Sequence, residues 1–165
     1  MRGLDRGWRG RARPHGEQLA EAWGSYVGRL PWQFSATLTF DPKKVFPVGH
    51  DLASREAFWW LGAVAHVCRR PVIWAYALER GASGLWHVHA LLGNTGRPNR
   101  KTLEGMWRMP NGHAAIRRVY DVTGIALYTT KQATDGEVVV SDTVTLPMFR
   151  SQLADVVVPL VPEDE

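Results

Sequence analysis

The sequence predicts one compact domain of mixed helices and strands, and three observations carry that expectation. The chain has 165 residues, of which 45% are hydrophobic, enough for one core and too little for a second domain of comparable size. Stretches with three- and four-residue apolar spacing interleave with stretches of two-residue alternation. Pro, Gly and Asn cluster where one period gives way to the other.

Residues 1–14 read as a flexible basic arm, in which Arg2, Arg6, Arg9, Arg11 and Arg13 face the single carboxylate Asp5. Disorder and DNA contact are both open readings of this arm. His15 to Leu30 sets Leu19, Ala22, Trp23, Tyr26, Val27 and Leu30 at helical spacing, and Pro31 closes the helix. From Trp32 to Phe40 the even-numbered residues Trp32, Phe34, Ala36, Leu38 and Phe40 alternate with Gln33, Ser35, Thr37 and Thr39. That is a half-buried strand whose polar face is rich in hydroxyls. Asp41 to His50 is a loop. Asp51 or Ser54 then caps a helix running through Phe58, Trp59, Leu61, Val64, Ala65 and Cys68 to Arg69 and Arg70, whose charges suit its C-terminal end.

Pro71 ends that helix. Val72 to Glu79 and Leu85 to Leu92 are strands joined by the Gly-rich turn Arg80 to Gly84, a hairpin. Gly93 to Asn99 is a loop, Arg100 to Trp107 a short helix, Met109 to Gly112 a tight turn and His113 to Val119 a further strand. Asp121 caps a helix over Val122 to Ala133, although Thr123, Gly124, Thr129 and Thr130 are poor helix formers. Val138 to Leu146 reads as a late strand or hairpin at a sheet edge. The folded domain is thus expected over residues 15–150, with 151–165 a tail ending in Glu163, Asp164 and Glu165.

Several classes of protein are excluded. One cysteine, Cys68, permits neither an internal disulfide nor a cysteine-based zinc knuckle, which suits a reducing, cytoplasmic setting. No apolar run approaches the ~20 residues of a membrane span, and no apolar core follows the Arg-rich start as in a secretion signal. The phosphate loop Gly-x4-Gly-Lys-Ser/Thr is missing, so an ATPase motor is not expected. The formal charge of +4 favours an anionic partner.

Two small motifs carry chemistry. In Trp86-His87-Val88-His89, strand geometry sends both imidazoles to one face while Val88 turns away. The pair reads as two metal ligands on one rigid element or as a hydrogen-bonded structural pair. Further on, Tyr128-Thr129-Thr130-Lys131 on a helix places phenol and ammonium one turn apart on the same side. A metal site together with a tyrosine nucleophile suggests phosphodiester chemistry. A divalent ion stabilises charge on phosphoryl oxygens, and a phenol of ordinary pKa near ~10 needs activation to attack near neutrality.

In chain order, Thr37-Leu38-Thr39-Phe40, Glu79, Trp86-His87-Val88-His89 and Tyr128 with Lys131 resemble the His-hydrophobic-His (HUH) endonucleases of the rolling-circle replication-initiator class, the Rep nickases. The likeness covers about Trp32 to Lys131. Because Tyr128 follows the histidines, the order is similar to replication initiators and unlike conjugative relaxases, whose tyrosine comes first.

The resemblance implies an α+β fold: a central antiparallel sheet of about five strands with helices on its faces. It implies a divalent ion, Mg2+ or Mn2+, held by His87, His89 and Glu79, with Tyr128 as nucleophile and Lys131 orienting the phosphate. The implied activity is nicking and joining of single-stranded or hairpin DNA at a replication origin through a 5'-phosphotyrosine intermediate. A separate helicase and polymerase would complete replication, and no membrane is involved. Thr37, Thr39, Trp86, Arg97, Arg100 and Lys101 are the candidate DNA-contacting residues. No second tyrosine lies one turn after Tyr128, so a two-tyrosine relay is not expected. A tyrosine transposase of the same superfamily and a non-catalytic single-stranded nucleic-acid-binding domain are the alternatives.

Overall fold

Alternating residues build the sheet, and the elements follow in chain order as β1 (Trp32–Phe40), α1 (His50–Cys68), β2 (Ile73–Arg80), β3 (Trp86–Gly93), α2 (Arg100–Arg108), β4 (Gly112–Arg118), α3 (Val122–Lys131) and β5 (Val138–Val140). The computed structural model describes residues 24–131 and 138–141. Its five strands form one antiparallel sheet in the order β4-β1-β3-β2-β5, and with the helices this is an α+β fold. The basic arm, most of the first expected helix, Ala133, the stretch from 142 onward and the C-terminal tail lie outside the described residues.

Each face of the sheet has its own core. On one side Ala36, Leu38, Phe40, Tyr76, Leu78, Val88, Ala90 and Leu92 pack against Ala57, Trp60, Leu61 and Val64 of α1 and against Leu103 and Trp107 of α2. On the other, a smaller cluster joins Ala75, Ala77 and Leu91 to Val27, Leu30 and Ala126, the last on α3. Each fully buried Leu, Val or Phe contributes roughly 1.5–3 kcal/mol of transfer free energy, opposed by the entropy of ordering the chain. Buried indoles are satisfied by main-chain carbonyls: Trp60 Nε1 donates to Leu103 O at 3.0 Å and Trp107 Nε1 to Thr39 O at 3.2 Å.

Three expectations need correction. A register shift in β1 between Trp32 and Phe34 carries Trp32 off the face it was expected to share with Phe34 and Ala36. Trp32 joins the smaller cluster instead, its Nε1 donating to Val27 O at 2.6 Å. Helix α1 starts at His50 after Gly49 and has no side-chain cap, while Ser54 Oγ bonds Tyr76 Oη at 2.7 Å. Phe58 and Trp59, expected along the apolar face of that helix, lie outside, Trp59 being 70% exposed. The helical face that meets the sheet is set by Ala53, Ala57, Trp60, Leu61 and Val64.

The cap expected at Asp121 is present, and α2 has one at Asn99. Asp121 Oδ1 accepts from Gly124 N at 2.9 Å at the start of α3, and Asn99 Oδ1 accepts from Lys101 N at 3.0 Å at the start of α2. Among the described residues no helix is long and apolar enough to cross a membrane.

Candidate functional site

Strand register assembles the site. Glu79 pairs with His87 across β2 and β3, Thr39 pairs with His87 across β1 and β3, and His113 pairs with Thr39 across β1 and β4. Cross-strand partners share a face, so His113, Thr39, His87 and Glu79 form one transverse row. The adjacent row on that face is Ala115, Thr37, His89 and Ala77. The hydroxyl-rich face of β1, the histidines of β3 and the acid of β2 thus come together through pairing of distant segments.

Within this lattice the contacts are specific. His89, 5% exposed, sets its Nε2 2.7 Å from Glu79 Oε2, a hydrogen bond that becomes an ion pair when the imidazole is protonated. His87 Nδ1 lies 3.0 Å from Thr39 Oγ1. With the proton on Nδ1 the hydroxyl accepts, and Nε2 carries the lone pair. Gly81 keeps that nitrogen accessible, since a Cβ there would stand 2.9 Å from His87 Nε2. Burial pushes the His87 imidazole below its ordinary value, His89 acts in the same direction, and the Glu79 carboxylate opposes them. The neutral, ligand-competent form of His87 is therefore favoured.

Helix α3 packs against β3 and β2 and brings Tyr128 to the same face. Its ring meets that of His89 edge-on, with centroids 5.7 Å apart and planes at 86°. Tyr128 is 50% exposed, so a ligand can reach the phenol. Lys131 is the last residue of α3. The rival Tyr76 is buried on the opposite face and bonded to Ser54. Among the described residues, Thr37, His113 and Arg117 are exposed on the site face over β1 and β4.

Glu79, His87 and His89 therefore share one face, but each already has a partner within it. Among the described residues no group of three or more His, Cys, Asp or Glu side chains is arranged to hold a metal ion. The donor chemistry nonetheless suits a divalent ion: two imidazoles, one carboxylate, a hydroxyl bracing His87 and a glycine beside its free nitrogen.

The candidate DNA contacts divide. Thr37 and Thr39 are on the site face, Thr37 exposed. Trp86, a candidate for DNA contact, is packed in the larger core on the opposite face, edge-on to His50, and so is not presented beside the histidines. Neighbours in a strand point to opposite sides, and the period that aligns His87 with His89 turns Trp86 away. Arg97, Arg100 and Lys101 are exposed at the loop before α2 and at its first turn.

Sequence reasoning missed two residues. His113 had no partner in sequence, and only the pairing of β4 with β1 puts it in the row. Gly81 read as a turn residue, and only its approach to His87 gives it a role at the site. Comparison with protein-family models, with curated proteins and with solved structures finds no match for this chain.

Proposed function

We propose that the protein is a metal-dependent single-stranded DNA endonuclease of the HUH type, nicking and rejoining a replication origin with Tyr128 as nucleophile. The observation that carries this reading is the edge-on approach of Tyr128, half exposed, to His89 on the face shared by His87 and Glu79. Thr39 and Glu79 orient the two imidazoles. Glu79, His87 and His89 would hold a divalent ion, Mg2+ or Mn2+, which when bound would supply Lewis-acid stabilisation of a phosphoryl oxygen.

In the proposed reaction the Tyr128 oxygen attacks the scissile phosphorus and loses its proton. The bond from phosphorus to the 3' oxygen breaks, and that oxygen leaves as a hydroxyl once protonated. The products are a 5'-phosphotyrosine adduct and a 3'-OH able to prime synthesis. The reverse attack rejoins strands without ATP, because the ester bond is conserved in the adduct. Lys131, one helical turn beyond Tyr128, is assigned to offset charge on the phosphate. In the cell this activity would act on single-stranded or hairpin origin DNA beside a separate helicase and polymerase.

A second reading has its own support. The His89 and Glu79 side chains satisfy one another, as a structural pair does, and this favours a non-catalytic single-stranded nucleic-acid-binding domain.

Labelled single-stranded oligonucleotides incubated with protein and Mn2+, with and without chelator, separate the two. The nickase gives a protease-sensitive covalent band that disappears with chelator and in Tyr128→Phe. Salt-sensitive binding without any such band selects the binding domain, and a band that persists in Tyr128→Phe removes Tyr128 from its role.

A further inference from the structure

Where β1 begins and β4 ends, a cavity of about 500 Å³ is lined by Arg97, Arg100 and Arg118 together with Gln33, Trp32 and Tyr120. We propose that this cavity is a second, non-catalytic binding site that takes a nucleotide by its phosphate. It goes beyond the nicking centre and does not depend on it. Arg118 pairs with Phe34 on β1, five residues from Thr39, so the cavity lies roughly 17 Å of strand away from the histidine row.

The lining offers donors and no carboxylate. Among the described residues Arg97, Arg100 and Arg118 form no ion pair, whereas Arg55 and Arg108 pair with Glu56 and Glu104. Gln33 is committed in the same sense. Its Oε1 accepts from Thr95 N at 2.7 Å and from Thr95 Oγ1 at 2.8 Å, and because a main-chain N–H can only donate, the amide NH2 is the end left for a ligand. Three planar guanidiniums and an amide donor match phosphate oxygens, which Arg can bind in bidentate fashion.

The site is also prepared. Thr95 ties the loop bearing Arg97 to β1 through Gln33, and Pro98 restricts the backbone that follows. A Cβ on Gly96 would stand 3.2 Å from the Arg70 guanidinium, which places a fourth cation against this loop. Tyr120 is 89% exposed, so its ring is free to stack on a planar base. The volume falls within the range of about 300–1,000 Å³ common for small-ligand sites. Phosphate and aromatic chemistry side by side select a nucleotide over a bare anion, whether as a free mononucleotide or as one unit of a single strand.

Titration calorimetry in chelator at low salt, with thymidine monophosphate, thymidine, inorganic phosphate and a twelve-residue oligothymidylate, tests the site on the full chain. Exposed Arg97→Gln with Arg118→Gln is expected to weaken the monophosphate or the oligonucleotide at least tenfold, with circular dichroism unchanged. Tyr120→Ala should weaken the nucleotide severalfold and leave inorganic phosphate unaffected. Loss with the monophosphate identifies a free nucleotide as the ligand, and loss confined to the oligonucleotide identifies a strand. Affinities within twofold of the parent for both ligands overturn the proposal, as does phosphate binding as tightly as the monophosphate. Neither metal nor cleavage enters these titrations, so they succeed or fail whatever becomes of the nicking reaction.

Discussion

His89 Nε2 lies 2.7 Å from Glu79 Oε2, although the two residues are not register partners. Ala77 is opposite His89, and its methyl leaves room for the carboxylate of Glu79 to reach diagonally along β2. The pair is the most buried polar contact of the site, which makes it the place where loss of one partner is felt most.

Glu79→Ala removes the acceptor from a buried imidazole nitrogen. An unsatisfied buried group of this kind costs about 1–3 kcal/mol, so the denaturation midpoint should fall measurably in chelator. Glu79→Gln keeps a neutral hydrogen-bonding group and should recover most of that stability, while Mn2+ binding stays weakened in both. Equal stability of Glu79→Ala and parent would show that the contact does not hold the fold.

Thr39→Val deletes the hydroxyl bound to His87 Nδ1 in a side chain of similar size. Loss of a group that orients a metal-binding histidine typically lowers metal affinity about 10–100-fold. That range is expected here for Mn2+, measured calorimetrically, with little change in thermal stability because the site is only half buried. Unaltered Mn2+ affinity would remove Thr39 from the site.

Gly81→Ala tests the space beside His87 without replacing any candidate ligand. The added Cβ would press on His87 Nε2, the far end of a side chain that can swing aside. The fold should survive, and Mn2+ affinity should drop at least tenfold. Parent-like metal binding would mean that this nitrogen faces no ion.

The titration of His87 has a definite sign. Its folded value is pushed below the ordinary 6.5, by burial before anything else, so the fold prefers the neutral ring. The corresponding stability is full above the unfolded value and is lost as pH falls from there through the lowered folded value. Thermal midpoints in chelator should therefore hold between about pH 7 and 8 and decline below about 6.5. His87→Asn should flatten that decline, and an identical slope in the variant would assign it to other groups.

Much of this architecture is legible in the one-dimensional pattern. Alternation from Phe34 to Phe40 and the hairpin around Gly84 define three strands, and the spacing of His87 and His89 fixes their common face. What escapes the pattern depends on pairing at a distance. A one-residue bulge moves Trp32 to the other face, and the register of β4 carries His113 beside Thr39. Phe58 and Trp59 mislead for a different reason: hydrophobicity alone does not say which stripe of a helix will meet a sheet when both sides carry apolar residues.

The uneven cover of the site face sets how a polymer could approach it. Among the described residues, helix α3 covers the β3 and β2 side, whereas Thr37, His113 and Arg117 are exposed on the β1 and β4 flank. With those three residues exposed among the described ones, a strand of the proposed substrate would be laid in sideways, with no end to thread. On the proposed function, covalently closed circles would then be as admissible to this face as linear fragments.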